Sequence, residues 1–515
     1  MERSIDSILN FHSSPRGIDR KEHAELIQGA FLVPHCHREA CRTTPNSVPP
    51  AASAQAELDF SHGTVQATWS AGNLLYRPLG RNAPSWYGIL GAMLLACAPS
   101  GYAADRTPAV ETFQKLQYAL ASDKKGAAWD AFLLDARRLE IFLNGSPTSG
   151  LEVARAQLQL GHRGEALVEV RRFLTMGQTN AILDAPLFLP LKETVAPQLA
   201  GNQSAVSLAK AAFELSDPEL LPEDIDYDPQ SKRFFVTSVL QHTIVFLDKT
   251  GRQGVFADSP DHWPMLAIKV DSKRRLLWAT EVALDGFTAI APADWGRSVL
   301  LEFDLDHGTL LSRHGGPAHS NLGDMVLAKN GNPIVSDGMG GGIYRLRGKE
   351  LVRIDHGDFI SPQTIALCQE GHHAFVPDYV RGLAELDIET GAVRWLSMKG
   401  RFALDGIDGL YCRGASLVAV QNGASPERVI SFLLDSSRSS IVAETLIERA
   451  THTLGDPTHG VFVGASFFYI ANSGWNGLDE RGVTRSSIHL SPAIIMRVDG
   501  MSWSASRGVA RTKGG

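Results

Sequence analysis

Between about residues 206 and 500 the chain alternates apolar and polar positions over short runs, and six of these runs end on a polar residue. They read Phe234-Phe235-Val236-Thr237-Ser238, Leu277-Trp278-Ala279-Thr280-Glu281 and Pro333-Ile334-Val335-Ser336-Asp337, then Ala374-Phe375-Val376-Pro377-Asp378, Leu417-Val418-Ala419-Val420-Gln421-Asn422 and Phe468-Tyr469-Ile470-Ala471-Asn472. Their last residues lie 43, 56, 41, 44 and 50 positions apart. Alternation with period two predicts half-buried strands, and a repeat of this length predicts one sheet per unit arranged around an axis. Each run is preceded by an aliphatic stretch and a polar turn, so it reads as the second strand of its unit. The first unit gives four strands, at 224–228, 233–239, 243–248 and 253–257, with Asp228-Pro229-Gln230-Ser231 and Lys249-Thr250-Gly251 as turns.

The expected fold is therefore mainly β, a six-bladed β-propeller over residues 206–500, with a small N-terminal α-helical domain over 105–205. The sixth unit is one strand short. Ala212-Phe213-Glu214-Leu215, just ahead of the first unit, is expected to supply it and close the ring, because an open ring would expose a sheet edge.

In the helical stretch Leu151, Ala154, Leu158 and Leu160, then Ala166, Val168, Val170 and Leu174, recur at three- and four-residue intervals. The join, Leu160-Gly161-His162-Arg163-Gly164-Glu165-Ala166, resembles a tetratricopeptide helix-turn-helix. Runs 109–121 and 126–144 supply a preceding helix pair. Such a unit implies a contact surface for protein.

Residues 74–104 have the pattern of a secretory signal. Arg77 and Arg81 precede the apolar run from Trp86 to Ala98, and Gly101-Tyr102-Ala103-Ala104 gives a small-residue cut site. The run is too short to span a bilayer. Residues 1–73 then read as an over-extended start or a disordered pre-region, and residues 501–515 as a disordered tail. Leu94-Leu95-Ala96-Cys97 offers a weaker lipoprotein alternative at Cys97. The expectation is an exported, periplasmic or secreted chain. Of five cysteines, Cys368 and Cys412 would remain after cleavage; two buried free thiols are expected, with a disulfide between them the alternative in an oxidising compartment. A net charge of −7 with mixed signs gives no basic surplus for nucleic acid.

Strand polarity places the chemistry. In an up-and-down blade the start of the first strand and the end of the second share one face. First-strand starts fall on Glu223, Leu266, Gly323, Gln363, Asp408 and His459, with Asp224 and Asp324 one position on; second-strand ends fall on Ser238, Glu281, Asp337, Asp378, Asn422 and Asn472. Oxygen ligands thus crowd one mouth, beneath two long loops at 282–297 and 473–491. Confined carboxylates need a counter-charge, and a hard divalent cation is one solution; caps on local turns are the other for Asp337 and Asp378.

Pro222-Glu223-Asp224-Ile225-Asp226-Tyr227-Asp228-Pro229, Pro362-Gln363-Thr364-Ile365-Ala366 and Ile407-Asp408-Gly409-Leu410 resemble the gluconolactonase/regucalcin family of six-bladed propellers, over about residues 210–500. The resemblance implies a divalent ion, calcium first and magnesium, manganese or zinc after it, held by Glu223, Gln363 and Asp408. Gln363 stands where the family has asparagine. It also implies Asp408 or His459 as the base, and Asn321 as a substrate contact; Asp324, Asn422 and Asn472 join it at the mouth. The implied activity is metal-dependent opening of a small lactone or cyclic ester. The alternative is a non-catalytic module whose mouth and helices bind a peptide, glycan or partner protein; Gln363 and the apolar Leu266 favour it.

Overall fold

The computed structural model describes residues 107–368, 373–397 and 402–499. The expectations for residues 1–73, the export signal, Cys97 and the tail fall outside them. Among the described residues no helix is long and apolar enough to cross a membrane.

Six antiparallel sheets form the blades of a propeller. Their innermost strands are Pro222–Asp228, Met265–Asp271, Leu322–Leu327, Ala366–Leu367, Gly409–Arg413 and Gly460–Val463. Each blade runs outward from that strand in chain order. The sixth closes with strand Lys210–Glu214, which pairs with Ile494–Val498 and replaces the missing outer strand. The segment just before it, Val206–Ser207, adds a fifth strand to the edge of blade five, an addition that two residues give no periodicity to foretell.

The inner strands would leave unpaired N–H groups facing the channel. Between blades one and two, side chains of the alternating Asp224, Asp226 and Asp228 meet this need. Asp224 Oδ2 accepts from Ile268 N at 2.9 Å and Asp226 Oδ2 from Val270 N at 2.7 Å, while Asp228 Oδ1 continues the row by accepting from the Ser272 hydroxyl at 2.5 Å. Lys269 Nζ, 2.6 Å from Asp224 Oδ2, compensates the buried charge.

The helices are α1 (Pro108–Lys125), α2 (Trp129–Phe142), α3 (Pro147–Gln159), α4 (Arg163–Thr175) and α5 (Leu189–Gln203). Leu151 and Ala154 of α3 pack with Ala166, Val170 and Leu174 of α4. Thr107 caps α1, its Oγ1 accepting from Val110 N and donating to Phe359 O of the propeller, 3.2 Å in each case. Gly357 is required at that junction: its φ is +88°, and a Cβ there would lie 2.7 Å from Pro108.

The helices dock on the face that carries the second-strand ends of blades four and five. Asn144 donates to Arg381 O at 3.1 Å, Ser146 Oγ to Asp405 Oδ2 at 2.5 Å, and the fully buried Arg428 to Met176 O at 2.9 Å. Ile360 and Val380 of the propeller join the apolar core of α1 to α3.

Cys368 and Cys412 form a disulfide, with Cα atoms 5.3 Å apart, which corrects the expectation of two free thiols. The inner strands of blades four and five bring them side by side across 44 positions of sequence. Closing a loop of that length restricts the unfolded chain. Cys412→Ser, or reduction, is expected to cost about 3 kcal/mol of stability, read as an earlier denaturant midpoint. An unchanged midpoint would show that the link contributes nothing.

Candidate metal and substrate site at the propeller mouth

The first-strand starts of blades one, five and six converge. Glu223, Asp408 and His459 are all buried, and one potential ligand atom of each lies within 4.8 Å of the others. Each is held by a neighbour. Trp475 Nε1 donates to Glu223 Oε2 at 2.6 Å, and Asn422 Nδ2 donates to Asp408 Oδ2 at 2.8 Å. Tyr379 OH in turn donates to Asn422 Oδ1 at 2.8 Å, fixing the amide so that its nitrogen faces Asp408. One oxygen of each carboxylate is thereby anchored.

His459 has a different part. Its Nδ1 faces the carbonyl oxygen of Glu223 at 2.9 Å and its Nε2 faces Asp324 Oδ1 at 2.5 Å. Both partners are acceptors, so both ring nitrogens carry hydrogen and the ring is an imidazolium. Burial alone would lower its pKa, but the carboxylates of Asp408, Asp324 and Asp224 raise it well above the ordinary histidine value. With no lone pair available, His459 supplies positive charge to the mouth.

Asp324 is thus committed to His459 and to the hydroxyl of Thr364, which donates to its Oδ1. Gln363 lies beside Asp408: the next residue, Thr364, sends its N–H to Asp408 O at 3.3 Å. The Gln363 amide nitrogen donates to Ser361 O and Oγ at 3.2 and 3.0 Å. Asn321 is 8 % exposed, and its Oδ1 is buried with no hydrogen-bond partner. Asn472 spends its amide inside blade six, donating to Pro492 O at 3.1 Å and accepting from Ile494 N at 2.7 Å. Asp337 and Asp378 accept from the backbone of their own turns, Met339 and Gly340 for the first, Val380 and Arg381 for the second.

Burial, followed by the nearby Asp408, pushes the Glu223 carboxyl well above the usual range. Burial also pushes Asp408 up to about 7, with His459 pulling the other way. Two carboxylates in this state hold either protons or a cation. The donor set suits a hard divalent ion: carboxylate and amide oxygens, and no thiolate or free imidazole. Glu223 and Asp408, whose oxygens converge, would supply the carboxylates.

The two long loops meet above blade one. Thr288 N donates to Arg481 O at 3.0 Å, and the rings of Phe287 and Trp475 lie 6.5 Å apart. Phe287, Ile290, Trp475 and Leu478 are buried in one apolar cluster. Gly482, at φ +71°, fits because a Cβ there would lie 2.4 Å from the Phe287 ring. The loops roof one side of the mouth and the helices roof blades four and five. Trp475, Tyr379 and Thr364 are site residues that the sequence reading did not single out. Trp475 sits in a loop without periodicity and carried no signal, whereas Tyr379 directly follows a second-strand end.

No family profile and no curated protein matches the chain. Among solved structures, luciferin-regenerating enzyme is similar with a TM-score of 0.41 and 11 % identity over 57 % of this chain and 96 % of that one. A gluconolactonase from Xanthomonas campestris gives 0.37 and 15 % over 57 % and 88 %, and the calcium-binding protein regucalcin from Agrobacterium tumefaciens gives 0.37 and 17 % over 56 % and 93 %.

Proposed function

We propose that the chain is a metal-dependent hydrolase of the gluconolactonase type, opening a small lactone or cyclic ester at the propeller mouth. The observation that carries this reading is the buried meeting of Glu223 and Asp408, each with one oxygen anchored by a neighbouring donor. A bound divalent ion, calcium first, would polarise the ester carbonyl as a Lewis acid. Asp408, whose carboxylate a bound cation would keep ionised, takes the proton of the attacking water. His459, with both nitrogens committed, holds Asp324 and stabilises the negative charge around it rather than acting as the base. The unpartnered Asn321 Oδ1 accepts from a substrate hydroxyl.

The test is a lactone panel assayed with and without chelator. Turnover should require calcium or a similar ion. Asn321→Ala should raise KM about tenfold with kcat less affected, because one substrate hydrogen bond of about 1–1.5 kcal/mol is lost. Chelator-insensitive hydrolysis, or none with any lactone, would remove this assignment. A non-catalytic binding module is the second reading. Its support is the helical unit, which carries Tyr118, Leu134, Ile141 and Val168 exposed and would offer a tetratricopeptide-like surface to a partner protein. The disulfide supports export to an oxidising compartment.

A further inference from the structure

We propose that Glu427 and Asp456 hold a second cation, a hard ion such as calcium, between blades five and six beside the Glu223–Asp408 mouth. Glu427 lies in the loop after the second strand of blade five, and Asp456 lies ahead of the innermost strand of blade six. Both segments open on the mouth face.

Asp456 is the observation that demands a ligand. It is 1 % exposed, and no side chain hydrogen-bonds either carboxylate oxygen, the backbone N–H of Asn476 being the one donor that acts on them. Two residues on, Thr458 Oγ1 is buried and unpartnered. An ionised carboxylate left without a counter-charge in the interior is costly, so such a group finds a cation or a proton. Arginine or lysine does not supply the charge here: the groups acting on Asp456 are the carboxylates of Glu427, Asp408 and Glu223, with only the Asn476 N–H favouring its charged form. Glu427 is fixed against the same segment, its Oε2 accepting from Asp456 N at 2.8 Å. Burial pushes Glu427 up to about 7.

Charge balance points the same way. The mouth gathers Glu223, Asp408, Asp324, Asp224, Glu427 and Asp456, against the positive charges of His459 and of Lys269, which is paired with Asp224. One divalent ion at Glu223 and Asp408 would still leave Glu427 and Asp456 uncompensated. A second ion at the oxygens of Asp456 removes that excess, and hydroxyl and carboxylate oxygens are the ligands a hard ion takes. The inference does not depend on any lactonase activity, because Asp456 lacks a positive partner whatever the first site binds.

The experiment is a calorimetric titration of the chelator-treated full chain with calcium chloride near pH 7.5. Two ions per chain are expected. Asp456→Asn should lose one of them or weaken it at least tenfold, Glu427→Gln should do the same, and Asp408→Asn should remove the other. Should Asp456→Asn fail to fold, Glu427→Gln carries the test. Calcium stoichiometry and affinity unchanged within twofold in the folded variants would overturn the proposal and leave a proton shared by the two acids. Absence of calcium binding by the wild type would overturn it as well. One ion lost in Asp456→Asn but retained in Asp408→Asn would support this site and remove the Glu223–Asp408 one.

Discussion

Asp408→Asn is expected to lower kcat/KM for a lactone substrate by at least about a thousandfold, the equivalent of some 4 kcal/mol. Asparagine keeps the shape, and its carbonyl oxygen can still accept from Asn422 Nδ2, so the fold should survive. What disappears is the proton acceptor and one of two carboxylates available to a cation. Calcium binding at the mouth should fail together with turnover, which distinguishes loss of the site from slower chemistry at an intact one. The same substitution removes a buried carboxyl that resists ionisation, so the metal-free variant should be more stable than wild type near pH 8. Circular dichroism and thermal melts check the fold, and a variant that hydrolyses lactone within threefold of wild type would show that Asp408 plays neither part.

Metal-free wild-type protein is expected to lose stability as pH rises from about 4 to about 8. Asp408 titrates near 3.8 when unfolded and near 7 in the fold, and burial is the main cause. A carboxyl with a raised pKa contributes stability that is complete below the unfolded value and is lost as pH rises through the folded one. A shift of about three units corresponds to roughly 4 kcal/mol, an upper bound because Asp408 does not titrate alone. Glu223 and Asp456, both raised by burial, act in the same direction. His459 adds to the loss only above its own unfolded range, because its pKa too is raised. Calcium should reverse the trend. It displaces protons, so its affinity should tighten about tenfold per pH unit between about pH 6 and 7 for each proton released. Melting temperatures at about pH 5.5 and pH 8, with chelator and with saturating calcium, give the answer. A metal-free melting temperature that rises with pH across that window would contradict the electrostatics of the mouth.

The six blades were legible because period-two alternation and polar strand ends recur at near-constant spacing, and strand polarity alone put Glu223 and Asp408 on one face. Closure by Lys210–Glu214 followed from counting strands. The partners of His459 were not legible. Asp324 lies 135 positions away and Glu223 lies 236 away, so only the ring geometry shows that both imidazole nitrogens meet acceptors. Pairing of Cys368 with Cys412 depends on two inner strands lying side by side, which spacing leaves open. The helices read correctly as helices, but their seat on the mouth face rests on contacts such as Arg428 to Met176, to which no periodicity points. Trp475 is the sharpest case: an aromatic in an irregular loop holds the key glutamate.

Anomalous diffraction from crystals grown with terbium would examine the hub most directly. A strong peak about 2.5 Å from oxygens of both Glu223 and Asp408 is the expected result. Well-ordered carboxylates at these two residues with no peak between them, or turned away from each other, would contradict it.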